Sequence, residues 1–232
     1  MIQPQIPLHS KIREHGYAIL PGIFSEREIT ELADQLSLSE LKRSRAGARH
    51  ILSVPAVRQI AEDERLRSIA RSALGETAIP FRVTLFDKSP TSNWLVAWHQ
   101  DTALPFVEKV EKPGWGPWSN KEGVIYSHAP KEALEQIVAL RLHLDDSTLE
   151  NGPLKIIPGT HCIGVLTDSE VRELSARSPA VDGTVARGGV IAMRPLVIHA
   201  SSKSGSDLPR RVLHIEYASR LQIDVGLRLA EV

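Results

Sequence analysis

At 232 residues the chain is long enough to bury a full core as one large domain without disulfide support. Lys+Arg and Asp+Glu balance at 28 each, so no net charge draws the protein to nucleic acid or to an anionic membrane surface. A single cysteine, Cys162, excludes an internal disulfide and reads as a packing residue of a reducing compartment. With no signal-like N-terminus and no long apolar run, the expectation is a cytoplasmic protein without a membrane partner.

Residues 1–78 read as a mostly helical flank. Ser25-Glu26-Arg27-Glu28 is a capping box, and Ile29, Leu32, Ala33 and Leu36 then mark one helical face. A second helix is expected over 63–74, with Leu66, Ile69, Ala70, Ala73 and Leu74 on a stripe and Gly75 as its stop. From residue 79 to about 220 the signal changes to short strands, at 79–87, 94–101, 136–145, 154–157, 190–193, 196–200 and 211–217. Gly and Pro between them, with no regular strand–helix alternation, predict a sandwich or barrel flanked by helices within one domain, 1–232.

In the strand at 136–145, Val138, Leu140, Leu142 and Leu144 share one face while Arg141, His143 and Asp145 share the other. That second face is either solvated or the lining of an internal cavity. Residues 102–131 form a long Pro- and Gly-rich connection that carries Trp115, Trp118 and Tyr126. Its length and aromatic content predict an active-site lid, and its aromatic residues hint at a partly apolar ligand.

The chemistry concentrates in Trp98-His99-Gln100-Asp101 and, 100 residues after His99, in His199. On an extended strand, residues i and i+2 point the same way, so His99 and Asp101 can offer an imidazole and a carboxylate to one ion. Two histidines and one carboxylate on one face of a metal leave its remaining positions open, as in non-heme Fe(II) oxygenases. His128, His143, His161 and His214 are not assigned as ligands. On the residues alone, a metal-binding jelly roll of another class, such as a cupin-type isomerase, and a non-catalytic binding module both remain open. Hydrolase and nucleotide-binding readings lack their motifs, since no G-x-S-x-G, G-x-x-x-x-G-K-[ST] or G-x-G-x-x-G occurs.

In their order and separations, several segments resemble the phytanoyl-CoA dioxygenase family of Fe(II)- and 2-oxoglutarate-dependent oxygenases. They are His15-Gly16-Tyr17-Ala18-Ile19-Leu20-Pro21, Trp98-His99-Gln100-Asp101, Asn151-Gly152-Pro153-Leu154 leading to Ile157-Pro158-Gly159-Thr160-His161, His199-Ala200-Ser201 and Pro209-Arg210. The resemblance implies a mainly β jelly roll, the double-stranded β-helix, with its core over 79–220. It implies iron on His99, Asp101 and His199, with 2-oxoglutarate and O2 consumed in oxidising a small-molecule substrate and releasing succinate and CO2. Arg210 takes the position of the arginine that clamps the cosubstrate carboxylate, with Arg211 as its rival and Ser201 beside it. Thr84, Gln100 and Arg141 fall near other cosubstrate-contacting positions, and Lys88, on the same strand face as Thr84, is a further candidate. Hydroxylation is the default outcome, with desaturation, cyclisation and epimerisation as variants. Asp101 disfavours halogenation, because related halogenases replace that carboxylate with a small residue.

Overall fold

The computed structural model describes residues 6–44, 47–89 and 92–232. The chain enters through α1 (Leu8–His15), which ends at Gly16 with φ 79°, and turns into β1 (Tyr17–Leu20). Ser25 caps α2 (Glu26–Leu38) through the reciprocal box with Glu28, and Ile29, Leu32, Ala33 and Leu36 form its buried face. β2 (Arg43–Ser44), β3 (Gly47–Arg49) and α3 (Pro55–Ala61) follow, after which Asp63 caps α4 (Glu64–Leu74) and Gly75 ends it. Three strands therefore lie inside the segment expected to be a helical flank. At two to four residues each they are too short to show a period; pairing with β12 and β4 further along the chain recruits β1 and β3, and β2 pairs with β3.

The remaining elements are mainly strands. β4 (Ile79–Lys88), β5 (Val96–His99), β6 (Ala103–Phe106), β7 (Trp118–Lys121) and β8 (Val124–His128) precede the short α5 (Lys131–Leu134). β9 (Ile137–His143), β10 (Leu154–Ile157), α6 (Asp168–Arg177), β11 (Val181–Gly183), β12 (Val190–Met193), β13 (Ile198–Ser201), β14 (Arg210–Ala218), β15 (Gln222–Asp224) and β16 (Leu227–Arg228) complete the chain. A seven-stranded sheet runs β1-β12-β9-β14-β4-β3-β2, and a four-stranded sheet runs β11-β10-β13-β5. Their pairings are antiparallel, and the fold is mainly β, a jelly roll flanked by helices.

Alternation along the strands of the large sheet divides it into two faces. Val83 and Leu85 of β4, Val138, Leu140 and Leu142 of β9, and Leu213, Ile215 and Tyr217 of β14 pack with Ile29, Leu32, Val57 and Leu66 of the helices. The alternate positions on these strands include Arg82, Thr84, Phe86, Lys88, Arg141, Arg210, His214 and Glu216, which line a cavity. The polar face of β9 is thus buried, with Arg141 in the cavity wall and His143 enclosed behind it.

The segment over 102–131 is not irregular. It folds into a three-stranded antiparallel sheet ordered β6-β8-β7, and its aromatic residues explain why. Trp115 is buried against Phe106 edge-to-face, with ring centroids 5.4 Å apart, and its indole N–H donates to Asp224 at 3.3 Å. Trp118 packs on the same Phe106. With Leu104, Leu134, Ile223 and Leu227 these rings build a second core, so both tryptophans hold the meander rather than a ligand. Cys162, expected to pack, is exposed on a short 3₁₀ turn beside His161.

Candidate functional site

His99 and His199 sit directly opposite one another where β5 pairs with β13, with ring centroids 4.2 Å apart. Asp101 lies two residues beyond the end of β5, where its backbone N–H donates to the Pro195 carbonyl at 2.9 Å. Its carboxylate oxygens lie 3.6 Å from His99 Nε2 and 3.4 Å from His199 Nε2. One ligand atom from each of the three residues falls within 4.8 Å of the others, as a single ion requires.

The backbone sets the tautomer of both rings. Nδ1 of His99 lies 2.8 Å from the Ala97 carbonyl and Nδ1 of His199 lies 2.9 Å from the Val197 carbonyl. A carbonyl only accepts, so each Nδ1 carries a proton, and Nε2, on the Asp101 side, is the ring atom left to ligate a metal. Burial alone would raise the Asp101 carboxyl, but the two imidazoles beside it hold it well below the usual carboxylate range. Burial lowers His199 despite that carboxylate, so its ring favours the neutral, ligating form. The donor set therefore fits a divalent first-row metal.

The family-like segments near the site serve as braces. Thr160 is buried, donates to the Ile157 carbonyl and accepts from the Ile198 backbone N–H, tying the end of β10 to the strand that carries His199. Gly152 holds φ 68°, and a Cβ there would meet the Ser202 carbonyl oxygen at 2.3 Å. The preceding Asn151 is buried and offers its own carbonyl to Arg210 Nε at 3.2 Å.

Facing the metal ligands, the large sheet contributes cations. Arg210 pairs with Lys88 across β14 and β4, and two rows further along the same face His214 lies between Thr84 and Arg141. Arg210 Nη2 donates to Ser201 Oγ at 3.1 Å and Lys88 Nζ donates to the same oxygen at 3.0 Å, while Ser201 donates onward to the Gly152 carbonyl. Arg141 donates from Nη1 to His214 Nδ1 at 3.1 Å, but its Nε is buried without a hydrogen-bond partner among the described residues. Lys88, Arg141 and Arg210 are 1%, 7% and 4% exposed, and among the described residues none has a carboxylate at ion-pair distance. Burial, then Arg210 and Arg141, bring the Lys88 ammonium down to about 8. Burial likewise brings both guanidinium groups down to about 10. Three buried cations without a counter-charge are costly in isolation and complement a small dianion.

Arg210 and Arg211 are adjacent and have opposite surroundings. Arg211 points away from the cavity into a bidentate pair with Asp145, at 2.8 and 2.7 Å, which occupies its fork. Gln100, expected among the cosubstrate contacts, also points elsewhere. Its amide donates to the Gly164 and Leu196 carbonyls and accepts from the Leu166 N–H, so it ties three loop segments together behind the site. His161 reaches the Arg13 carbonyl, and His128 bonds to Thr102. Arg82, Phe86, His214 and Glu216 are cavity residues that the sequence reading left out. The same two-residue alternation that placed Lys88 beside Thr84 contains them.

A jelly roll with two imidazoles and one carboxylate in its mouth presents the donor set of a non-heme metal site. The chain belongs to the phytanoyl-CoA dioxygenase family: the family described as Phytanoyl-CoA dioxygenase (PhyH) matches residues 12–212. An L-proline trans-4-hydroxylase from Streptomyces griseoviridis is 27% identical over 163 residues, and the match covers 59% of this chain. The chain spans about half of that relative's length, 52%. Among solved structures, EctD from S. alaskensis with 2-oxoglutarate and 5-hydroxyectoine superposes with a TM-score of 0.68 at 21% identity, over 91% of this chain and 74% of that one. The epimerase SnoN in complex with Fe3+, alpha ketoglutarate and nogalamycin RO superposes with a TM-score of 0.68 at 19% identity, over 92% of this chain and 83% of that one. At these identities the two structures share the fold.

Proposed function

We propose that the protein is a non-heme Fe(II)- and 2-oxoglutarate-dependent dioxygenase that oxidises a small organic molecule, with hydroxylation as its default outcome. One observation carries the reading: the donor atoms of His99, Asp101 and His199 converge in the same cavity as three buried cations that have no carboxylate at ion-pair distance among the described residues. A cupin-type isomerase or a non-catalytic module would need the first feature at most. The family match and the proline hydroxylase relative support the same chemistry.

His99, Asp101 and His199 would hold the iron, and Arg210, Lys88 and Ser201 would grip the remote carboxylate of 2-oxoglutarate. When bound, iron and 2-oxoglutarate supply activation of O2, with succinate and CO2 released. The planar fork of Arg210, anchored at Nε by the Asn151 carbonyl, sets the direction from which a carboxylate is met. Thr84 and Arg141, two rows along the same face of the sheet, line the cavity that also holds the metal ligands. Phe86, Trp94, Val96 and Leu154 supply apolar wall that excludes water. No helix among the described residues is long and apolar enough to cross a membrane, and a lone cysteine suits a reducing compartment such as the cytoplasm.

Anaerobic addition of Fe(II) and 2-oxoglutarate tests the assignment. A visible charge-transfer band is expected, together with O2-dependent succinate release. Intact protein that shows neither would overturn it.

A further inference from the structure

Beyond the metal ligands the cavity wall carries a second group of charges that the proposed chemistry does not use. Arg82 and Glu216, neighbours on β4 and β14, form a buried ion pair, with Arg82 Nη2 at 2.6 Å from Glu216 Oε1. Arg82 also donates to the Ala103 carbonyl, so both members of the pair are engaged. Arg49 and Lys121 line the same cavity from β3 and β7. Among the described residues neither has a carboxylate at ion-pair distance.

The ammonium of Lys121 lies over the Tyr126 ring, 4.7 Å from its centroid, and the Tyr126 hydroxyl is bonded to His50 Nε2 at 2.8 Å. That contact positions Lys121 without neutralising it. Burial, then the neighbouring Arg82 and Arg49, push the Lys121 ammonium down, which is the mark of a locally positive environment. Asp101 and Glu216 act against this charge more weakly than Arg82 and Arg49 add to it, since Asp101 faces the two imidazoles and Glu216 is paired with Arg82. Arg49 is exposed while Arg82 and Glu216 are not, which puts the unmatched charge toward the mouth. A cleft lined by one sign of charge with low-dielectric walls concentrates ligands of the other sign.

We propose that Arg49 and Lys121 form an anion grip at the cavity mouth, so the molecule oxidised carries a carboxylate or a phosphate monoester. The proposal rests on the oxygenase reading for what happens to that molecule, but the grip is a property of these two side chains and is measurable separately. Arg49 reaches the cavity only because β3 pairs beside β4, in the row that continues through Thr84, His214 and Arg141. Lys121 arrives from the meander, on the edge strand that pairs with β8.

Three probes that share a ring and differ in head group test the grip: benzoate, phenyl phosphate and benzamide. Binding is measured by anaerobic calorimetry on protein saturated with Fe(II) and 2-oxoglutarate. At least one anion is expected to bind tenfold or more tightly than benzamide, and the stronger of the two identifies the head group. The R49Q/K121Q variant should lose that preference while its benzamide affinity moves less than twofold. Equal binding of all three probes, no binding by any, or an anion preference that survives in R49Q/K121Q overturns the grip. If the wild-type protein forms no charge-transfer band, the oxygenase reading fails instead. The head-group comparison on iron-free protein then still decides the grip.

Discussion

The two faces of the large sheet are built by alternate residues of the same strands and do opposite work. On the helix side, Leu140 and Leu213 sit among aliphatic neighbours with no polar atom to satisfy. On the cavity side, Arg141, Arg210 and Lys88 are almost as deeply buried, and among the described residues none of their cationic ends has a carboxylate at ion-pair distance. Burial on the first face stabilises the fold at about 25 cal/mol per Å² of apolar surface. Burial on the second opposes it, and only a bound anion offsets that cost. Damage to the first face should therefore appear as lost stability, and damage to the second as lost ligand affinity.

The largest expected effect belongs to the metal ligands opposite the cavity face. His99→Ala or Asp101→Ala should abolish succinate release while circular dichroism and melting remain close to wild type; ordinary turnover in either variant would break the ligand assignment. Leu213→Ala should act only through the core, costing about 2–5 kcal/mol in denaturant melts. A wild-type 2-oxoglutarate requirement in whatever remains folded keeps the two faces separable.

Arg210 and Arg211 sharpen the contrast at neighbouring positions. Arg210→Ala should raise the 2-oxoglutarate KM roughly ten- to hundredfold, the equivalent of about 1.5–3 kcal/mol for charge-assisted hydrogen bonds. Arg211→Ala should leave that KM alone and lower stability by about 1–2 kcal/mol through loss of the Asp145 pair, a figure reduced by its partial exposure. Exchanged outcomes would mean that the register of β14 is displaced by one residue.

Lys88 gives the smallest and most diagnostic effect. In the fold it discharges at about 8, below the ordinary lysine range, so between that pH and about 10 the unfolded chain binds more protons than the folded one. Stability should rise with pH across this window, because the buried ammonium is relieved of its charge. Affinity for a dianion should fall across the same window. Lys88→Met should flatten both profiles, and a wild-type 2-oxoglutarate KM that stays constant from about pH 7 to 9.5 would remove Lys88 from the clamp.

Much of this was legible in the order of residues. The capping box at Ser25, the strands at 154–157 and 190–193 and the two faces of β9 follow from local periodicity, which a chain carries wherever it folds. The chemical types of the metal ligands follow from H-x-D and a later histidine. Gln100 was misplaced because alternation tells which neighbours share a face, and Gln100 lies on the face opposite His99. The strands within 102–131 were missed because they are four or five residues long and acquire their order from Trp115 and Phe106 meeting across a turn.

Local sequence therefore determined the apolar and polar faces of the long strands and the kinds of side chain available for metal and carboxylate binding. Tertiary structure alone decided what each polar face looks at. His199 meets His99 through the β13–β5 pairing, Arg210 enters the cavity while Arg211 turns to Asp145, and Arg49 and Lys121 reach one mouth from separate sheets. The physical reason is that periodicity propagates over a few residues, whereas closing a sandwich of non-consecutive strands brings together groups that no local rule connects.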